Sequence, residues 1–162
     1  MKKHFSTYLG CPLGELEIVG TNKFITEVKF VMDRGEDSDK VPEILRQCKD
    51  ELQEYFEGKR KEFTLNLSPE GTAFQQIVWS ELRNIPYGET TAYRTIAIQL
   101  KNPGSVRAVG HANARNPIAI IIPCHRVISE DGKLTGYAGG LWRKQWLLEH
   151  EGNTSGKNPT LF

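Results

Sequence analysis

The sequence predicts an α+β fold in two parts, strand-rich first and helical second, and three observations carry that reading. Short apolar stretches alternate with turn residues over the first thirty positions. Beyond Gly71, apolar residues recur at helical spacing between Pro/Gly turns. The charge balance also changes sign: residues 1–71 hold eleven Lys and Arg against fourteen Asp and Glu, net −3, while 72–162 hold ten against six, net +4. The Ser68-Pro69-Glu70-Gly71 stretch, where the sign changes, is the expected linker between a domain at 1–71 and a domain at 72–162.

In the first part, HFSTYL, LGELEIVG and FITEVKFV read as antiparallel strands, the last two joined by a Thr21-Asn22 turn, and residues 33–40 as a polar connection. Ile44, Leu45, Cys48, Leu52, Tyr55 and Phe56 then recur every three to four residues, an amphipathic helix stopped by Gly58 that places Cys48 in the core. Phe63, Leu65 and Leu67 alternate as a further strand.

The second part opens on Thr72 followed three residues later by Gln75, a capping-box pattern, and a helix with Phe74, Ile77, Val78, Leu82 and Ile85 on its apolar stripe. After Pro86-Tyr87-Gly88, Thr90 or Thr91 caps a helix running through Ile96 and Leu100, and Ser105 caps another that ends near Asn116-Pro117. Helix, short turn, helix at this spacing is either a helix-turn-helix or a plain helical corner. The later helix carries small residues, Ala108, Gly110, Ala112 and Ala114, between Arg107 and Arg115. Such a surface suits close packing against a neighbour or close approach to a DNA groove. The apolar run 118–122 reads as a buried strand, and Asp131-Gly132 as the turn of a hairpin that would be the wing of a winged helix. A final helix from Leu141 to Glu151, with Leu141, Leu147 and Leu148 apolar, stops at Gly152.

With 162 residues, 38% hydrophobic and 25% charged, the chain is long enough for a core that needs no metal or disulfide, and its composition is neither disordered nor collagenous. No apolar run approaches the roughly 18 residues of a membrane span, and MKKHFSTYLG has no hydrophobic signal core, so an intracellular, non-membrane location is expected. Cys11, Cys48 and Cys124 are too few and too widely spaced for a disulfide framework, and with the four histidines they form no zinc-type spacing, so no metal is expected.

Pro123-Cys124-His125 carries the chemistry. A thiolate is the strong nucleophile among side chains near neutral pH, and an adjacent imidazole can take its proton. The imidazole in turn needs an orienting carboxylate, for which Glu149 and Glu151 are available. Adjacency alone fits a structural pair equally well.

The ordered segments IPYGETTAY, RAVGHANARNP, IPCHRV and GYAGGLWRKQWLLEHEG resemble the 6-O-alkylguanine-DNA alkyltransferases, the methylated-DNA–protein-cysteine methyltransferases, over about residues 72–152. The resemblance implies a ribonuclease-H-like first domain, a winged helix-turn-helix second domain, and DNA repair by irreversible, single-turnover transfer of an alkyl group from 6-O-alkylguanine to Cys124, with 4-O-alkylthymine left open. It implies that His125 is the base, acting through a water, that Glu151 orients it, and that Tyr93 protonates guanine N3. Arg107 corresponds to the finger that replaces a flipped nucleotide. The implied DNA-binding set is Arg107, Ala108, Ser105, Thr90 and Arg115. The implied pocket is Asn116 as hinge, the Val127 backbone, Tyr137 over the pocket, and Ala138, which departs from family members that bear a hydroxyl there. The implied partner is double-stranded DNA carrying the lesion, met by a monomer without cofactor in the cytoplasm, on the nucleoid, or in a nucleus. Relatives that bind alkylated DNA without repairing it carry tryptophan in place of the PCHR cysteine; a Cys–His hydrolase would need an oxyanion hole and an ester or peptide cleft.

Overall fold

Alternation in the first thirty residues becomes three strands, β1 (Phe5–Cys11), β2 (Gly14–Gly20) and β3 (Ile25–Val31), paired antiparallel in the order β1-β2-β3. Leu16 and Ile18 of β2 are fully buried, as the period of two requires for one covered face. That face meets α1 (Glu43–Phe56), whose buried stripe is Leu45, Cys48, Glu51, Leu52 and Tyr55. Gly58, at φ 77°, stops the chain just beyond the helix in a backbone region that favours glycine. The structure, a computed structural model, describes residues 3–154. The chain forms two compact units: residues up to Glu70 with Pro117–Ala119, and Gly71–Asn116 with the residues from Ile120 onward.

The strand expected at Phe63, Leu65 and Leu67 does not form; Leu67 makes only an isolated parallel bridge to Ile25. Glu51 explains this. Its carboxylate accepts from the Thr64 backbone N–H at 2.9 Å and from the Thr64 hydroxyl at 2.6 Å, which takes that stretch out of any ladder.

In the second unit the capping box is complete around α2 (Ala73–Leu82): the Thr72 hydroxyl accepts from the Gln75 N–H and the Gln75 side chain from the Thr72 N–H. The buried face is Val78, Trp79 and Leu82, and Ile77, expected on it, is 52% exposed. Trp79 takes the place because its ring is the larger and its indole N–H reaches the Ala112 carbonyl of the helix behind at 2.8 Å. The two residues of β4 (Thr91–Ala92) pair in parallel with β5 (Val127–Ile128). Thr90 and Thr91 therefore do not cap α3 (Tyr93–Gln99), which begins after Ala92 with no side-chain cap. A single 3₁₀ turn at Pro103–Ser105 leads into α4 (Val106–Ala114). Ser105 stands at the cap position, but its hydroxyl donates back to the Asn102 carbonyl at 2.6 Å and leaves the helix uncapped.

The run 118–122 is buried as expected but is not a strand. Ile118 bridges Val28, and Ile120 then takes a left-handed φ of 72°, which ends the extension. Apolar content reported burial, not conformation. Asp131-Gly132 does turn, with the Ser129 N–H on the Lys133 carbonyl at 3.2 Å, but its flanks form no paired strands: the Ser129 hydroxyl donates to the same carbonyl and the Asp131 carboxylate accepts the Lys133 N–H, so side chains take the backbone groups. The closing helix α5 (Leu141–Thr154) continues past the expected stop: Gly152 lies buried inside it. Leu141 is 49% exposed, and Lys144 is buried in its stead with Leu147 and Leu148. Among the described residues no helix is long and apolar enough to cross a membrane.

Candidate active site

Pro123 introduces a single 3₁₀ turn, Cys124–Arg126, in which all three side chains are buried. The turn puts consecutive side chains in different directions, so neighbours in sequence meet different partners. The Cys124 carbonyl accepts from the amide of Asn113, in the last turn of α4, at 3.3 Å, and the amide of Asn116, just beyond that helix, donates to the Ile122 carbonyl at 2.8 Å. Burial pushes the Cys124 thiol above its ordinary pKa, while the Asn116 amide and the Lys144 ammonium pull against it. At neutral pH it rests protonated. Its nucleophilic form must be made when it is used.

Glu151, of the two candidate carboxylates, is the one that meets His125: Nε2 lies 2.7 Å from Oε2, with both side chains buried. Arg126, which the sequence reading left without a role, donates from Nε to Oε1 at 2.8 Å and from Nη2 to Oε2 at 3.1 Å, and from Nη1 to the Ile85 carbonyl at 2.7 Å. The Gly88 N–H adds a fourth donor to the carboxylate, on Oε1 at 3.3 Å. Burial favours the neutral acid, yet His125 and Arg126 outweigh it and hold the Glu151 carboxyl well below the usual range. An ionised carboxylate has no proton to give, so His125 Nε2 must carry one. His125 itself is pushed below its ordinary pKa, mainly by burial, and is neutral at pH 7. Its Nδ1 then holds a lone pair, and among the described residues no protein group is hydrogen-bonded to it.

Tyr93, first residue of α3, receives a hydrogen bond from the Thr135 hydroxyl at 3.0 Å. Lys144 is fully buried, donates to the Thr135 carbonyl at 2.6 Å and sits 6.0 Å from the centre of the Tyr93 ring. Burial lowers its pKa to about 8, against the pull of Cys124. The Tyr137 hydroxyl is buried with no hydrogen-bond partner among the described residues, and burial, then Cys124, raises it well above the usual phenol value. Val127 is buried with its N–H already on the Cys124 carbonyl, which leaves that N–H unavailable to another acceptor. Ala138 is exposed.

The remaining residues sit outside this hydrogen-bonded cluster. Arg107, Ala108, His111, Ala114 and Arg115 are all exposed and recur at helical spacing, so α4 shows solvent one small-residue, basic face. Ser105 is half-buried at its start, and Thr90 half-buried ahead of β4. Sequence reading passed over Asn113, Arg126, Thr135 and Lys144. For Lys144 a signal existed: it lies seven residues before Glu151 and on the stripe of Leu147 and Leu148. For Thr135, in an irregular loop, none did.

Two family profiles match the chain. One, described as 6-O-methylguanine DNA methyltransferase, ribonuclease-like domain, matches residues 4–69; the other, 6-O-methylguanine DNA methyltransferase, DNA binding domain, matches residues 73–153. A methylated-DNA–protein-cysteine methyltransferase of Methanosarcina barkeri is 47% identical over 149 residues, 88% of this chain and 93% of that protein. The crystal structure of Mycobacterium tuberculosis O6-methylguanine methyltransferase is 41% identical, with a TM-score of 0.84 over 98% of this chain and 96% of that one. The crystal structure of M. tuberculosis OGT in complex with DNA is 43% identical, with a TM-score of 0.82 over 95% and 94%.

Proposed function

Since this chain belongs to the 6-O-methylguanine DNA methyltransferase family, we propose that its methylated-DNA–protein-cysteine methyltransferase activity works by moving the alkyl group onto Cys124 in one irreversible displacement. The observation that carries the assignment is a buried thiol next to a neutral histidine whose Nδ1 lone pair is open and whose Nε2 is locked to an ionised Glu151.

In this reading the lesion is 6-O-alkylguanine in duplex DNA, extruded from the stack into the pocket. His125 Nδ1 takes the Cys124 proton through a water, and the thiolate attacks the alkyl carbon. The carbon–oxygen bond breaks with its electron pair going to guanine, whose N3 takes the Tyr93 proton. A thioether forms at sulfur, and the imidazolium and phenolate left behind neutralise each other by proton exchange. Glu151, strengthened by Arg126, stabilises the imidazolium as it forms. Asn113 ties the end of α4 to the Cys124 carbonyl, and Asn116, just beyond the helix, holds the Ile122 carbonyl ahead of the Cys124 turn. Arg107, Ala108, Ser105, Thr90 and Arg115 form the DNA-facing set, with Arg107 filling the vacated stack. Val127, Tyr137 and Ala138 line the base pocket. The protein acts as a monomer wherever DNA lies, in the cytoplasm or on the nucleoid.

Intact-mass measurement after incubation with methylated duplex tests the assignment. One methyl mass per chain is expected, absent from Cys124→Ser, which still binds DNA. Repeated turnover with methylated DNA in excess would overturn it, because a thioether is a poor leaving group.

A further inference from the structure

Tyr93 stands apart from the Cys124 cluster in one respect: its oxygen has its own supporting pair of residues, neither of which the reaction scheme uses. Thr135 places its hydroxyl 3.0 Å from the Tyr93 oxygen. That residue lies in the irregular stretch between β5 and α5, where no ladder holds the backbone. What holds it is Lys144, whose ammonium, delivered from α5, binds the Thr135 carbonyl at 2.6 Å. Burying a lysine completely costs free energy unless its charge is used, so the contact is a considerable investment at one loop residue.

The direction of the hydroxyl bond follows from counting donors. Among the described residues the Thr135 hydroxyl meets the Tyr93 oxygen. If the phenol donated to Thr135, the threonine proton would have no acceptor among the described residues and the phenol proton would be engaged. With Thr135 donating, the tyrosine oxygen accepts and its own proton is free for another acceptor.

We propose that Thr135 is a positioning residue for Tyr93: it donates to the phenol oxygen, directs the phenol proton away from the protein, and stabilises the oxygen as that proton leaves. This rests on the reading of Tyr93 as the proton donor to the departing guanine. The bond that breaks is phenol O–H, the proton goes to N3, and the phenolate keeps the electron pair. Thr135 favours that phenolate and counters the burial that otherwise raises the Tyr93 pKa. Lys144 also faces Cys124, so its removal would disturb the nucleophile as well; Thr135 isolates the effect.

The test is the single-turnover rate of methyl transfer from duplex DNA at saturating protein, for wild type, Thr135→Val, Thr135→Ser, Tyr93→Phe and the Thr135→Val/Tyr93→Phe double variant. A hydrogen bond to a developing charge is worth about 10- to 100-fold in rate. Thr135→Val should lose that factor with DNA affinity unchanged, Thr135→Ser should regain most of it, and Thr135→Val should lose nothing further in the Tyr93→Phe background. With ¹³Cζ-labelled tyrosine, Thr135→Val should also shift Tyr93 ionisation to higher pH, a change that a packing role would not produce. A Thr135→Val rate equal to wild type, or an equal loss in both backgrounds, would overturn the inference and leave the proton-donor reading intact. A wild-type rate for Tyr93→Phe would overturn both.

Discussion

Arg126 grips Glu151 through two hydrogen bonds, Nε to Oε1 and Nη2 to Oε2, although 25 residues of chain separate them. The pair is buried, and its charges cancel, so the third member, His125, needs no charge of its own. This arrangement keeps the imidazole neutral and ready to accept a proton. Removing Arg126 should therefore have two effects. Arg126→Met should destabilise the second unit by about 3–5 kcal/mol, the usual cost of leaving one buried partner unpaired. It should also raise the pKa of His125, because the Arg126 charge depresses it now. Urea midpoints and the NMR titration of the imidazole check the two separately. An unchanged histidine titration would mean that Arg126 is only a packing element.

The same cluster sets the response to acid. Burial holds His125 below its ordinary 6.5, so below that pH the unfolded chain binds a proton that the native state does not, and stability falls as pH drops. Glu151 is held below its ordinary 4.5, so its contribution is complete above that value and is lost as pH falls further. Both signs point the same way. These two groups should make stability decline from pH 6.5 and more steeply below 4.5, each removing at most about 1.4 kcal/mol per pH unit, while Lys144, held near 8, makes it rise above that pH. Urea midpoints at pH 7.5, 6.0 and 5.0 should fall in that order. Equal values at 7.5 and 5.0 would contradict a buried neutral histidine.

How far the sequence reached is clear from which signals are local. Strand alternation at 5–31, the α1 stripe and the Thr72/Gln75 box are local patterns, and each formed as read. One error fell where a distant partner decides, whereas the Ser105 cap was lost to the nearby Asn102 carbonyl. The stretch around Leu65 lost its strand to the Glu51 carboxylate, 13 residues away. At the site, Cys124 and His125 were legible as a motif, and Glu151 was one of two carboxylates that only folding could choose between. Thr135 meets Tyr93 across 42 residues of chain, a contact that no spacing rule reports.

Packing between α2 and α4 depends on one polar contact within an apolar interface, the Trp79 indole N–H on the Ala112 carbonyl. Trp79→Phe keeps most of the apolar area but removes that bond, leaving the Ala112 carbonyl with the Arg115 N–H at 3.2 Å, and should cost about 1 kcal/mol. Thr72→Ala removes a cap at the exposed start of the same helix and should cost about 1 kcal/mol. The two sites share no partner, so the double variant should show the sum in thermal unfolding. A clear departure from additivity would show that fraying at Thr72 propagates to the tryptophan.

The exposed, basic face of α4 gives the sharpest separation between DNA handling and chemistry. Arg107 lies in the first turn of α4, exposed and away from the Cys124 cluster, so its loss should not touch the nucleophile. If it fills the gap left by the extruded nucleotide, Arg107→Ala should slow repair of a lesion in duplex DNA by tenfold or more, since unstacking costs a few kcal/mol and each ~1.4 kcal/mol is a factor of ten. Reaction with the free alkylated base, which needs no extrusion, should keep its wild-type rate. Tyr93→Phe should slow both reactions, by roughly 10² to 10⁴ for a lost catalytic proton donor. If instead Arg107 only neutralises a phosphate, its loss weakens binding in a salt-dependent way and high protein concentration restores the duplex rate. The single-turnover rate on duplex at saturating protein therefore decides: a wild-type value rejects the finger role, and a deficit confined to duplex establishes it.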